Sequence, residues 1–468
     1  MSAPLAEIRA ALAGTPAWLV GGAVRDRLLG RGTDDLDLAV AGDPEAAAQA
    51  IRRALPSAAF RLSDAFGGWR VVGRGHAWQV DVLALQGGGL EADLAARDFT
   101  INAMAEPLEE GGQPRLIDPF GGAADLAARR LRMVGPRAFA DDPLRTLRAV
   151  RFAAELGFEV EPATAAAVRE HAASLAGVAP ERIWAELKRV VAAPAPSAAL
   201  EHMSDYGVTA IILPELEALR GVEQSVYHHR DVHDHTLEVL DAAVLIERDP
   251  AAAGLPAHAD ALRALLAEPL ADGLTRGHGM RWAALLHDIA KPQTRRVRLD
   301  GRGAGFPGHH TEGAAVARDV LRRLRAAEKV GDHVAALTEH HLRLGFLVHE
   351  RPLTRRAVHR YLVATGPVAA DVTALTVADR LATRGRKSAP AIAAHLELAD
   401  EMLGYVLAER AAGRRAPLVR GDELAAALGR APGPWLGGVL AQLEEDRFAG
   451  DVVTRDDAVA RARALLRG

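Results

Sequence analysis

Between residues 17 and 85, short β-branched and apolar runs alternate with stretches whose apolar positions recur every three or four residues. AWLV (17–20), DLDLAV (35–40), WRVVG (69–73) and WQVDVLAL (78–85) have the length and content of strands, and DPEAAAQAIRRAL (43–55) has helical spacing. The pattern predicts a mixed α/β unit over 1–135. Beyond Pro136 it becomes helical almost throughout. PLRTLRAVRFAAELG (143–157) and PERIWAELKRVVAA (180–193) put apolar residues three and four apart, with a proline at the expected first helical position of each. AAPAPSAA (192–199) predicts a linker or bend, LQGGGLE (85–91) a tight connection, and 254–279 a turn-rich insertion. No repeat of solenoid period is present. The fold class expected is an α+β N-terminal unit, a mixed sheet with helices, followed by an all-α remainder.

A chain of 468 residues exceeds one ordinary core and suggests about three or four domains. Apolar runs such as AIIL (210–213) fall far short of the roughly 20 residues a bilayer needs, and MSAPLAEIRA lacks the layout of a signal peptide. No membrane partner is expected. Cysteine is absent, which removes disulfides, thiolate zinc sites and cysteine nucleophiles and makes the cytoplasm the expected compartment. The net charge of −4 means that any nucleic-acid role needs basic residues gathered on one face.

Candidate chemistry starts in GGAVRDRLLGRGTDDLDLAV (21–40). In a strand, Asp35 and Asp37 share one face while Leu36 and Leu38 take the other. A single acid pair on a strand is as well explained by a solvated face. Unit charges 4 Å apart repel by about 4 kcal/mol at an effective dielectric of 20, so a face with several carboxylates is poor structure without a cation. Magnesium suits such oxygen ligands, and Asp81 in the later strand offers a third. Gly21 and Gly22 lie between a strand and a helix, where backbone N–H groups can meet phosphate, and Arg25 adds a cation in the first helical turn. This is the layout of a nucleotidyl-transfer site.

The stretch resembles the start of the class II tRNA nucleotidyltransferases and bacterial poly(A) polymerases. ARDFTINAMA (96–105) is similar to the family's arginine–aspartate motif, and LIDPFGGAADL (116–126) to its head-to-neck connector. DDPLRTLRAVRFAAELGF (141–158) is similar to the nucleotide-selecting helix and ERIWAELKRVV (181–191) to the following neck motif. The resemblance implies a nucleotidyltransferase head at 1–135, a helical neck at 136–225, an HD domain at 226–390 and a C-terminal helical module at 391–468. It implies that Asp35 and Asp37 hold two Mg2+ ions, with Asp81 as the third catalytic carboxylate. Two metals about 3.5–4 Å apart can activate the attacking 3′-hydroxyl and stabilise the leaving pyrophosphate. Gly21, Gly22 and Arg25 would seat the triphosphate. Arg97 and Asp98 would contact the nucleotide, Asp98 at the ribose; Asn102 belongs to the same pocket or orders the local turn.

Base choice is implied for Asp142 and Arg145, with Arg148 and Arg151 nearby, three apart and so along one side of a helix. Arginine can donate to cytosine O2 and N3, and aspartate can accept from its amine. Only residues 82–96 separate Asp81 from Arg97. The resemblance ties that short connection to members that add CC from CTP, rather than to the longer loop of those adding full CCA from CTP and ATP. Ala96 stands where many relatives carry a second arginine. Poly(A) polymerase is the near alternative, but 66–82 and the tail ARARALLRG match its basic features poorly.

Fourteen of the 18 histidines lie between His228 and His359. QSVYHHRDVHDHTLEVL (224–240), ALLHDIAKP (284–292), GFPGHHTEG (305–313), EHHLRL (339–344) and TVADRL (376–381) resemble an HD phosphohydrolase domain. The implied ligands are His235, His287, Asp288 and Asp379, with His309 and His341 for a second metal. Such donors suit nickel, manganese or iron. The tail (417–466) resembles the C-terminal module of multidomain members, which implies contact with the tRNA elbow. Basic stretches at 379–387 and 409–421 could bind phosphate or be ordinary arginine-rich surface. A homodimer is left open. An HD phosphohydrolase with an RNA-binding N-terminal half and a non-catalytic RNA-binding protein are the rival readings.

Overall fold

The computed structural model describes residues 4–62, 67–109, 115–224, 230–297, 304–384, 388–413 and 415–467. Its contacts form two compact units: Met1–Ala193 with Ala198–Ile212, and Pro194–Ser197 with Leu213–Gly468.

The first unit holds a six-stranded sheet made of β1 (Ala17–Val20), β2 (Asp35–Val40), β3 (Ser57–Arg61), β4 (Trp69–Gly73), β5 (Gln79–Ala84) and β6 (Ala105–Pro107), in the order β3-β4-β5-β2-β1-β6. β2 and β5 run parallel and the other neighbours antiparallel. Alternation along β2 sends Leu36, Leu38 and Val40 into a core with Leu19, Val80 and Val82. The helix Pro44–Ala54 seals that face with Ala47, Ala48 and Ile51. It starts cleanly because Asp43 accepts from the Glu45 N–H and Pro44 presets the first turn. The opposite face carries Val20, Ala39, Leu94, Ala103 and Ala105, and the acids of β2 point to this side.

The four expected strands form. β3 and β6 were not foreseen: β3 is an edge strand with no fully buried position, and β6 has only three residues. Gly87 and Gly88, both at positive φ, make the turn in 85–91.

The helix Leu144–Leu156 corrects the placement of Asp142, which lies before the helix and not on it. A residue preceding proline is pushed out of the α region, and Asp142 is extended at φ −147, ψ 101. Its carboxylate instead accepts from the Leu144 N–H at 3.2 Å. Gly157 ends the helix in the left-handed conformation. Helix Pro180–Ala192 ends at the first residue of the 192–199 segment, and Pro196 begins the next helix, so the bend is confined to 193–195.

The second unit is helical apart from a two-stranded antiparallel pair, Arg296–Val297 with Ala304–Gly305, which the helical expectation did not foresee. The expected turn-rich insertion contains the helix Ala259–Leu266, because Leu262, Leu265 and Leu266 make one buried stripe. Helices Gly421–Leu428, Trp435–Ala449 and Arg455–Leu465 share a small core of Leu424, Val439, Leu443, Ala458 and Ala462. Segment 355–382 is long and apolar enough to cross a membrane. It is nevertheless two helices broken at Gly366, and its second helix buries Asp371 against Arg276. Of the residues singled out from sequence, His228, His229, 385–387 and Arg414 lie outside the described residues.

Candidate active site

Register brings the three acids together. Asp37 on β2 is the Cα partner of Asp81 on β5, and Asp35 is the partner of Gln79, whose amide donates to Asp35 Oδ1 at 3.0 Å. Burial pushes the Asp37 carboxyl up to about 6, with Asp35 and Asp81 adding to the rise and Arg97 opposing it. That is the electrostatic cost expected of an acidic cluster, and it fits a place for a cation. Asp81 accepts from Arg70 through both oxygens, Nε to Oδ1 and Nη2 to Oδ2, each at 2.6 Å.

Gly21, at φ 72, begins the bend beside this cluster. The backbone conformation calls for glycine, and a Cβ there would also press on the Arg97 guanidinium, 2.7 Å from Nη1. Arg97 is held by Asp93 at 3.1 Å. It also lines a cavity of about 1100 Å3 together with Asp98, Asp142, Arg145, Arg148 and Arg182. Arg97 thus joins the acid cluster to the cavity, which the three acids themselves do not line.

Behind Arg97 a buried ionic chain crosses the unit. Arg25 donates to Asn102 Oδ1 at 2.8 Å and makes two further bonds to Asp26. Asn102 donates to Asp98 Oδ1, and Arg148 donates to Asp98 Oδ2 through Nε and Nη2 at 2.9 and 2.6 Å. Burial alone would raise the Asp98 carboxyl, but Arg148 and the bonds from Asn102 and the Phe99 N–H hold it below its ordinary value. Arg25 is bonded to Asn102 and Asp26 while its guanidinium lies beside the glycine bend, Nη2 3.5 Å from where a Gly22 Cβ would be. Arg151 departs from expectation: it is buried, pairs with Glu186 and Glu155, and is absent from the cavity lining. Asp142 accepts from Arg182 at 2.8 Å, and Arg145 donates to the carbonyls of Ala96, Arg97 and Ala138.

Sequence reasoning missed Arg70, Gln79, Arg182 and Glu186. Arg182 and Glu186 stood one helical turn apart in a motif already singled out; Arg70 and Gln79 carried no local signal.

A second cluster occupies the second unit. His235, His287 and Asp379 form one group of potential ligand atoms, and Asp288, His309 and His341 another, each within 4.8 Å. His235 Nε2 lies 3.1 Å from Asp379, and Asp288 faces His287 at 3.0 Å and His309 at 3.3 Å. His287, His309 and His341 direct Nδ1 to the carbonyls of Ala284, Phe306 and Thr338. With Nδ1 so engaged, Nε2 is the nitrogen left for a cation; His287, which burial alone would lower but Asp288 pushes up, would release its proton to a metal that took that place. Nε2 of His287 and of His309 are buried and turned to the Asp288 carboxylate. Burial pushes the His341 imidazole down to about 3, keeping it neutral as a ligand must be. Asp288 is held well below its ordinary value: burial alone would raise it, but His287 and Lys291 prevail, with Lys291 Nζ at 2.6 Å. The donor set fits divalent transition metals.

Comparison with known proteins gives a consistent result. Residues 17–85 and 69–132 match the Poly A polymerase head domain, 157–219 the "Probable RNA and SrmB- binding site of polymerase A", and 232–384 the HD domain. The A-adding tRNA nucleotidyltransferase of Deinococcus radiodurans is 38% identical over 449 residues, covering 95% of this chain and 94% of the relative. The CC-adding tRNA nucleotidyltransferase of Thermus thermophilus is 35% identical over 450 residues, covering 95% and 92%. The Thermotoga maritima CCA-adding enzyme, solved with tRNA, shares the fold at a TM-score of 0.62 and 20% identity, covering 99% of this chain and 94% of that one.

Proposed function

The chain belongs to the tRNA nucleotidyltransferase and poly(A) polymerase family, and from that premise we propose that it adds nucleotides to the 3′ end of tRNA without a nucleic-acid template. The observation that carries this is the register pairing of Asp37 with Asp81, beside Asp35 and the Gly21 bend. Asp35 and Asp37 would hold Mg2+, with Asp81 completing the acid set. The metal, when bound, neutralises the triphosphate and activates the attacking hydroxyl. The tRNA 3′-oxygen attacks the α-phosphorus of CTP or ATP, the bond to the β-phosphate breaks, and pyrophosphate leaves. Gly21, Gly22 and Arg25 would seat the triphosphate at the bend, with the Arg97 guanidinium drawn onto it. Arg97, between the acids and the cavity, is placed to meet the triphosphate or the ribose. The base enters the cavity, where Asp142 and Arg145 offer an acceptor and donors, and Arg148 anchors Asp98. The C-terminal helices would meet the tRNA elbow, and the reaction belongs in the cytoplasm.

The short 82–96 connection favours addition of CC. A second reading, addition of the terminal A alone, is favoured by the A-adding relative of nearly full coverage. One assay separates them: tRNA lacking CCA, or ending in CC, is incubated with labelled CTP or ATP and the product is sized. Growth of the first by two cytidines supports CC addition, growth by three supports CCA addition, and growth of only the second by one adenosine supports A addition. A long adenosine ladder supports poly(A) synthesis. No growth of either rejects the proposal.

For the HD cluster we propose a site for nickel, manganese or iron acting on phosphate esters at RNA ends. Phosphate release that survives Asp37→Ala and is lost in Asp288→Ala supports this; release unaffected by Asp288→Ala rejects it.

A further inference from the structure

Arg70 belongs to no motif that points to the active site, yet it makes a highly specific contact there. It lies on β4, where antiparallel register sets it opposite Asp81 on β5. Its Nε and Nη2 donate to the two oxygens of Asp81 at 2.6 Å each, the fork-on-fork geometry of strong, directional arginine–carboxylate pairs. Asp81 is in turn the partner of Asp37 on β2. One row across three strands therefore reads Arg70, Asp81, Asp37.

An ordinary cross-strand ion pair adds little to stability and has no further consequence. Two features set this one apart. Its acceptor is a member of the acid trio, so whatever fixes the plane of that carboxylate fixes where its free lone pairs aim. Each carboxylate oxygen has two lone pairs, so a guanidinium taking one on each leaves one on each for another partner. Arg70 also brings a positive charge into direct contact with a group proposed to serve a divalent cation, and like charges at that range repel. The arginine therefore orients the acid and also weakens its hold on metal.

We propose that Arg70 is a positioning residue for nucleotidyl transfer: it aims the Asp81 carboxylate at the reacting centre and limits how tightly the acid trio binds divalent metal. This rests on the nucleotidyltransferase reading of the site.

The test compares Arg70→Met, which loses both charge and fork, with Arg70→Lys, which keeps the charge alone. Mn2+ binding to the full chain is followed by electron paramagnetic resonance, the head-site share being the difference from Asp37→Ala. Nucleotide addition is measured in parallel, and far-ultraviolet circular dichroism checks folding. Arg70→Met is expected to bind Mn2+ roughly threefold more tightly, while its kcat falls about tenfold or more through loss of aim. Arg70→Lys is expected to restore the wild-type Mn2+ affinity but not kcat. A purely structural pair would not tighten metal binding. An active wild type with Arg70→Met unchanged in kcat and Mn2+ affinity overturns the proposal, as does Arg70→Lys that binds Mn2+ like Arg70→Met. A wild type that transfers no nucleotide overturns the nucleotidyltransferase reading instead.

Discussion

Asp37 and Asp81 face each other across the parallel strand pair of the six-stranded sheet. Asp37 is buried at a cost that an apolar residue there would not incur, and Asp81 also accepts the fork of Arg70. Replacing either with asparagine keeps shape and removes one charge from the cluster; at position 81 it also breaks one arm of the Arg70 fork. Nucleotide addition is expected to fall by about a hundredfold or more, with tRNA binding in a filter assay unchanged. Equal activity in Asp37→Asn would remove the acid trio from the chemistry.

Arg148 is the cation on which both Asp98 and Glu186 converge. Arg148→Ala leaves Asp98 buried with the Asn102 amide and the Phe99 N–H as its remaining donors. The loss should be on the order of 2 kcal/mol, because breaking a buried pair is costly while Arg148 itself is about one-third exposed. Denaturant titration reads this directly. The ratio of CTP to ATP incorporation, measured in competition, should also shift towards unity, because the cavity wall that Arg148 braces would relax.

The buried histidines away from the metal cluster give a pH dependence of definite sign. Burial, then the charges of Arg276 and Lys329, push His333 down to about 4 from an ordinary 6.5, and burial brings His395 to about 4 as well. Above pH 6.5 both are neutral whether folded or unfolded, and their contribution is constant. As pH falls from about 6.5 to about 4, the unfolded chain takes up protons that the folded one refuses, and stability drops. Each should account for on the order of 2–3 kcal/mol across that window. His333→Gln is expected to flatten the slope between pH 6.5 and 4 in denaturant unfolding; an unchanged slope would contradict the burial argument.

Asp288 faces both groups of ligands, within 4.0 Å of His235, His287, His309 and His341. Its replacement by alanine should therefore empty the cluster, whereas His341→Ala should remove about one equivalent. Metal analysis of purified protein distinguishes the two. Magnesium-supported nucleotide addition should persist in both variants.

The legible part of this molecule was local. Strands 17–20, 35–40, 69–73 and 79–84 announced themselves by apolar runs, and Asp35 with Asp37 by period-two alternation. Asp142 was misplaced onto a helix because spacing alone hides the backbone restriction imposed by Pro143. The partners that decide the site's electrostatics were set by register and packing. Nothing in WRVVG says that Arg70 will face Asp81, and nothing in ARDFT says that Asp98 will meet Arg148, 50 residues on. Lys291 had a local clue, since it follows Asp288 by three residues in a helical region.

The two compact units are not consecutive stretches of sequence: residues 198–212 belong with the first, after the chain has already contributed 194–197 to the second. Arg169 helps hold the returning segment, donating to the Asp205 carbonyl and lying over the Tyr206 ring. During synthesis, then, the last helices of the N-terminal unit can dock only after Ile212 has cleared the ribosome. A pause or truncation shortly after residue 193 would leave that unit without its last helices and the apolar surface beneath them bare to chaperones and to other chains.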